Sequence, residues 1–101
     1  TYAPDLADAI ARLLPTEMYG IYHFTNAGIC SRYEWACEIL RLAGLAHVPV
    51  TPSQNYIRPA PVPKLLELRN FCGATQVGIT LRPWQEALAE HLQGARQQAL
   101  R

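Results

Sequence analysis

The side chains best suited to reaction chemistry in this sequence are three histidines, three cysteines and a single lysine, Lys64. Their spacing does not assemble them. Cys30, Cys37 and Cys72 are odd in number and contain no C-x-x-C pair. That argues against a disulfide framework or a zinc site and favours reduced thiols. His23, His47 and His91 have no metal-ligand spacing, and no carboxylate, serine or cysteine partner is identifiable for His23. No metal site is therefore predicted. What the chain does offer is a place for an anion. Tyr19–Asn26 is aromatic and β-branched, Gly28 punctuates a turn, and Ser31-x-x-Glu34 is a capping box. A strand running into a capped helix exposes first-turn N–H groups that suit negative charge. Ser31 and Glu34 are nevertheless accounted for by capping alone, and Asn26 by its turn.

The elements that position these residues follow from periodicity. A first helix is expected from Pro4, a tolerated first-turn proline, with Leu6, Ala9, Ile10 and Leu13 on one face and Pro15 at its end. A strand from Tyr19 follows. The second helix spans about Arg32 to Ala43 and stops at Gly44. Trp35 on that helix is expected as a core or domain-interface anchor. His47–Thr51 reads as a short edge strand, and Pro52–Pro63 as a long proline-rich loop. Leu65–Leu68 is expected to be briefly extended, and Asn70 to cap a short helix over Phe71–Val77. The last helix spans Leu81–Leu92, with Trp84, Leu88 and Leu92 on one stripe and Arg82 solvated or at an interface. Residues 93–101 read as a polar tail, helical or frayed.

The chain has 101 residues, half of them hydrophobic, and a net charge of +1. It should bury a core, and its charge gives no electrostatic case for nucleic acid or an anionic membrane. No apolar run approaches the ~20 residues that span a bilayer. The expected class is α/β: a small, helix-rich mixed domain over residues 1–101, core about 1–92. Its few short strands complete a layer whose remainder lies elsewhere.

Five pieces, in order, resemble the C-terminal portion of the dTDP-4-dehydrorhamnose reductase family of extended short-chain dehydrogenase/reductases. They are Thr1-Tyr-Ala-Pro-Asp-Leu-Ala7, Gly20-Ile-Tyr-His-Phe-Thr-Asn26, Ser31-x-Tyr-Glu-x-Ala36, Arg58-Pro-Ala60 and Leu81-Arg-Pro-Trp-Gln-Glu-Ala-Leu88. The resemblance implies a cytoplasmic parent enzyme that reduces the 4-keto group of a dTDP-sugar. NADPH or NADH would sit on an N-terminal Rossmann domain, a Tyr-x-x-x-Lys pair would supply the proton, and this region would build the nucleotide-sugar wall. The chain has neither a glycine-rich dinucleotide turn nor a Tyr-x-x-x-Lys, since Ala60 lies four residues before Lys64. It is expected to bind no cofactor and carry no catalytic residue.

The resemblance also implies the candidate substrate-binding residues. Arg58 stands in an Arg-Pro element that relatives place near the substrate diphosphate, and a guanidinium fork matches phosphate oxygens. Counting back from Leu68 puts the family's Arg-Pro on Val62-Pro63 instead, and both registers stay open. Tyr56 is a candidate to stack on a base or to pack the loop. Thr1 and Tyr2 match the segment where the family's chain crosses between domains. The expected partners are the dTDP-sugar and the Rossmann domain, with homo-oligomerisation open. The alternative is a non-catalytic regulatory module, like the β subunit of methionine adenosyltransferase.

Overall fold

The computed structural model describes residues 1–55 and 57–100. They form two compact units, one of Thr1–Ile29 with Leu68–Arg101 and one of Cys30–Glu67.

In the first unit, α1 spans Ala3–Leu13, with a proline in its first turn and Asp5 near its positive end. The expected apolar face forms around Ala9, which is 1% exposed. Pro15 lacks the N–H needed to continue the helix, so the chain tightens into a 3₁₀ turn, Leu14–Thr16. Glu17, at φ 55°, then turns the chain away.

The strand expected from Tyr19 does not form. Among the described residues there is no named strand, only an isolated parallel bridge between Ala27 and Pro83. The expected helix-rich domain is observed, but the few short strands of the α/β expectation do not form among the described residues. The physical reason lies in where the backbone groups go. The Asn70 side chain stands in for a neighbouring strand: Oδ1 accepts from Thr25 N at 3.1 Å, and Nδ2 donates to Thr25 O at 2.6 Å. Asn70 is therefore not the expected side-chain cap of α3, Phe71–Gln76, which has none. Side chains still alternate along the extended segment. Tyr22 and Phe24 are half-buried with stacked rings 6.1 Å apart, whereas Tyr19 and Ile21 are 91% and 84% exposed.

Ile79 and Leu81 complete the core with Ala9, against Leu13, Phe24 and Val77. The last helix, α4, spans Trp84–Ala99, so the polar tail is helical as far as Ala99. Leu88 is buried and Trp84 and Leu92 half-buried, as their four-residue spacing requires.

The second unit contains α2, Arg32–Leu42. Its capping box is complete: Glu34 N donates to Ser31 Oγ at 3.1 Å, and Ser31 N donates to Glu34 Oε2 at 2.6 Å. Gly44, at φ 76°, ends it in the left-handed conformation that glycine adopts without strain. Trp35, expected as an anchor, is half-exposed within this unit. The strands expected at 47–51 and 65–68 are absent from the described residues. Prolines at 49, 52, 59, 61 and 63 withhold the N–H groups that a ladder needs.

Candidate functional site

α2 and the proline-rich loop border an open hollow of about 910 Å³ within the second unit. That is near the upper end of the ~300–1,000 Å³ typical of small-molecule sites. Arg32 reaches it from the first position of α2, where Ser31 and Glu34 fix the start of the helix. Ser53, Gln54, Arg58, Pro59, Ala60 and Val62 supply the rest of the wall. Arg58 and Val62 line the same hollow, so either register of the Arg-Pro element falls on it. No carboxylate lines it among the described residues. Two arginines, a serine and a glutamine thus border one open space, residue types suited to an anion with several oxygens.

Burial, and then the Glu34 carboxylate, push the Cys30 thiol above its ordinary pKa. Hydrogen bonding to the Cys37 sulfur raises the Tyr33 phenol. No group of three or more His, Cys, Asp or Glu side chains is placed to hold a metal among the described residues. No helix there is long and apolar enough to cross a membrane.

Thr1 and Tyr2 belong to the first unit. Thr1 is exposed. Tyr2 joins a polar cluster centred on Asn26, which is 8% exposed. Tyr2 N donates to Asn26 Oδ1 at 2.7 Å, and Asn26 Nδ2 donates to Asp5 Oδ2 at 2.7 Å and to Arg82 O at 3.2 Å. Arg82 grips Asp5 with a two-pronged pair at 2.9 Å each and reaches Glu90 at 2.6 Å. The same guanidinium lies 5.7 Å from the centre of the Tyr2 ring, whose edge meets His91 at 5.9 Å. Tyr2 is thus engaged in tying α1 to α4. Arg82, expected to be solvated or at an interface, is the clasp of this cluster. The sequence carried no signal for it, because Asp5 lies 77 positions away. Tyr56 lies outside the described residues.

The cluster makes a pH dependence. Hydrogen bonds from Arg82 hold the Asp5 carboxyl below its ordinary value of 3.8, Asn26 adds to this, and burial opposes it. A depressed folded-state pKa means that the stabilisation is complete above pH 3.8 and is lost as pH falls through the folded value. Chemical denaturation from pH 6 to pH 2.5 is expected to show a steeper acid loss in the wild type than in Asp5→Asn. Parallel curves would show that the pair contributes nothing. Differencing the two removes the contributions of Glu34 and Glu38, whose carboxyls are also lowered.

The comparisons bear on the whole chain. The family model for the RmlD substrate binding domain matches residues 1–97. The spore coat polysaccharide biosynthesis protein SpsK of Bacillus subtilis (strain 168) is 41% identical over 95 residues, covering 92% of this chain and 32% of that protein. The dTDP-4-dehydrorhamnose reductase of Mycolicibacterium smegmatis is 36% identical over 94 residues, covering 89% of this chain and 28% of its own length. The crystal structure of a dTDP-4-dehydrorhamnose reductase from Clostridium acetobutylicum superposes with a TM-score of 0.80 at 40% identity. That match covers 91% of this chain and 33% of the crystallised one. The chain thus spans about a third of the length of the relatives it matches. With residues 1–97 matched end to end, this chain belongs to the RmlD substrate binding domain family, the substrate-binding portion of dTDP-4-dehydrorhamnose reductases.

Proposed function

We propose that these 101 residues act as one domain forming the nucleotide-sugar wall of an NAD(P)H-dependent enzyme that reduces the 4-keto group of a dTDP-sugar. The hollow between α2 and the proline-rich loop takes the diphosphate. The observation that carries this reading is a hollow of ligand size, lined by Arg58 and free of lining carboxylates among the described residues, in a chain of this family. Arg58 is the candidate for the phosphate oxygens, and Tyr56, Thr1 and Tyr2 are the remaining substrate-binding candidates that membership of the family suggests.

The chain's own residues do not fit a dinucleotide. The described residues include no strand that ends in a glycine-rich turn at a helix N-terminus, which is what cradles a pyrophosphate in this class of fold. The cofactor and the proton-transfer pair therefore belong to another part of the protein, a Rossmann domain. A short-chain dehydrogenase/reductase architecture and a cytoplasmic location go with this reading. The exposed Tyr19 and Ile21 suit association with such a domain or with a second copy.

Titration of the intact protein with dTDP by calorimetry tests the reading. Arg58→Ala is expected to weaken binding roughly tenfold or more, the scale of a charged hydrogen bond. Undiminished affinity would remove Arg58 from the site.

A further inference from the structure

We infer that residues 20–24 form an open sheet edge, and that an extended strand from the rest of the same protein docks along it on the backbone of Tyr22 and Phe24. Of the function proposed above, this uses only the presence of a further domain. Three observations carry it. First, no backbone N–H or C=O group at positions 20–24 has a hydrogen-bond partner among the described residues. Phe24 is half-buried, and backbone groups in such a place are ordinarily paired. Second, the two sides of the segment differ. Along an extended chain, the N–H and C=O of one residue point to one side and those of the next residue to the other. Thr25 turns both groups to the Asn70 amide, and Ala27 turns both to the backbone of Arg82 and Trp84. Positions 21 and 23 share that side, so Tyr22 and Phe24 offer their groups to the opposite one. Third, the edge is undefended. An edge left to solvent usually carries lysine, proline or a strategic charge that stops another strand from adding. Positions 19–25 read Tyr-Gly-Ile-Tyr-His-Phe-Thr, with no lysine, arginine, proline or carboxylate. Tyr19 and Ile21 add exposed apolar surface on the face away from the core.

Backbone pairing asks only that the occupant be extended, and the length of the relatives decides where it comes from. The chain spans about a third of their length. A strand carried by the same protein reaches the edge at an effective concentration that a second copy in solution does not match. The docked strand gives the open N–H and C=O groups their partners, and the domain that carries it covers Tyr19 and Ile21.

The test is hydrogen exchange of the intact protein, followed amide by amide by NMR at a high and a low protein concentration. After correction for intrinsic rates, the amides of Tyr22 and Phe24 are expected to exchange at least about a hundredfold more slowly than those of Ile21 and His23. The alternation should be the same at both concentrations. Rapid exchange at Tyr22 and Phe24, or equal protection at all four positions, overturns the strand pairing. Protection that is lost on dilution gives the edge to a second copy and overturns the occupant named here. Titration of the same sample with dTDP keeps this inference apart from the ligand reading. Alternating protection in a protein that does not bind dTDP upholds the edge and removes the proposed ligand. Binding of dTDP without that protection does the reverse.

Discussion

Asn26→Ala is expected to lower the stability of the protein by about 2–4 kcal/mol, seen as a lower midpoint in urea with little change in slope. The side chain is 8% exposed and makes hydrogen bonds to Tyr2 N, Asp5 Oδ2 and the Arg82 carbonyl. Each such bond is worth about 1 kcal/mol net, but truncation leaves the partners without Asn26, which adds to the loss. Asn26→Asp is the sharper variant. Its Oδ1 still accepts from Tyr2 N, yet it brings a second carboxylate to Asp5 and removes both donated bonds. Near neutral pH it should be at least as destabilised as the alanine variant, and it should recover as the pH falls and one carboxyl takes up a proton. A loss below about 0.5 kcal/mol in Asn26→Ala would show that water replaces the side chain and that the cluster does not hold the fold.

The second large effect is at Gly73, on α3. Replacing glycine with alanine inside a helix ordinarily gains about 1 kcal/mol. Here a Cβ would fall deep inside contact distance of the Phe24 ring and 3.2 Å from the Ile79 carbonyl oxygen. The ring belongs to the core margin and the carbonyl to the backbone, so neither moves freely. Overpacking of this kind costs about 1–3 kcal/mol, so Gly73→Ala should end near neutral or destabilised. Gly73→Val, with two more methyls and no helix gain, should lose about 3 kcal/mol or more. The cause is separable from any effect on α3 itself by a double-mutant cycle. Gly73→Ala should be better tolerated in a Phe24→Leu background, with a coupling of about 1 kcal/mol. Zero coupling would place the cost outside this contact.

The helices were readable because their signals are local. The spacing of Leu6, Ala9, Ile10 and Leu13 marked α1, and Ser31-x-x-Glu34 with Gly44 marked both ends of α2. The strands were misread because Tyr19–Asn26 carries strand-type residues, while pairing depends on what the chain places beside them. Here that neighbour is the amide of Asn70, 45 positions on. Local pattern assigned Asn70 a cap, and nothing local distinguishes a capping asparagine from one that pairs with backbone. Arg82 was misjudged for the same reason, since its partner Asp5 lies at the other end of the chain. In the candidate site, Arg58 stood out through its Arg-Pro element. Arg32 did not, because the first residue of a helix accepts almost any polar side chain. It joins the hollow only through the path of the proline-rich loop.

The Thr25–Asn70 clasp has a consequence for how such a protein can change over time. It closes inside the first unit, and the whole of the second unit lies in the chain between its two ends. The cost of closing a flexible loop rises only logarithmically with length, by roughly 0.6 kcal/mol for each doubling. Residues between the clasp points can therefore be lengthened, shortened or exchanged at little expense to the unit that brackets them. A lineage can refashion the second unit while Asn26, Asn70 and Arg82 keep the first unit closed.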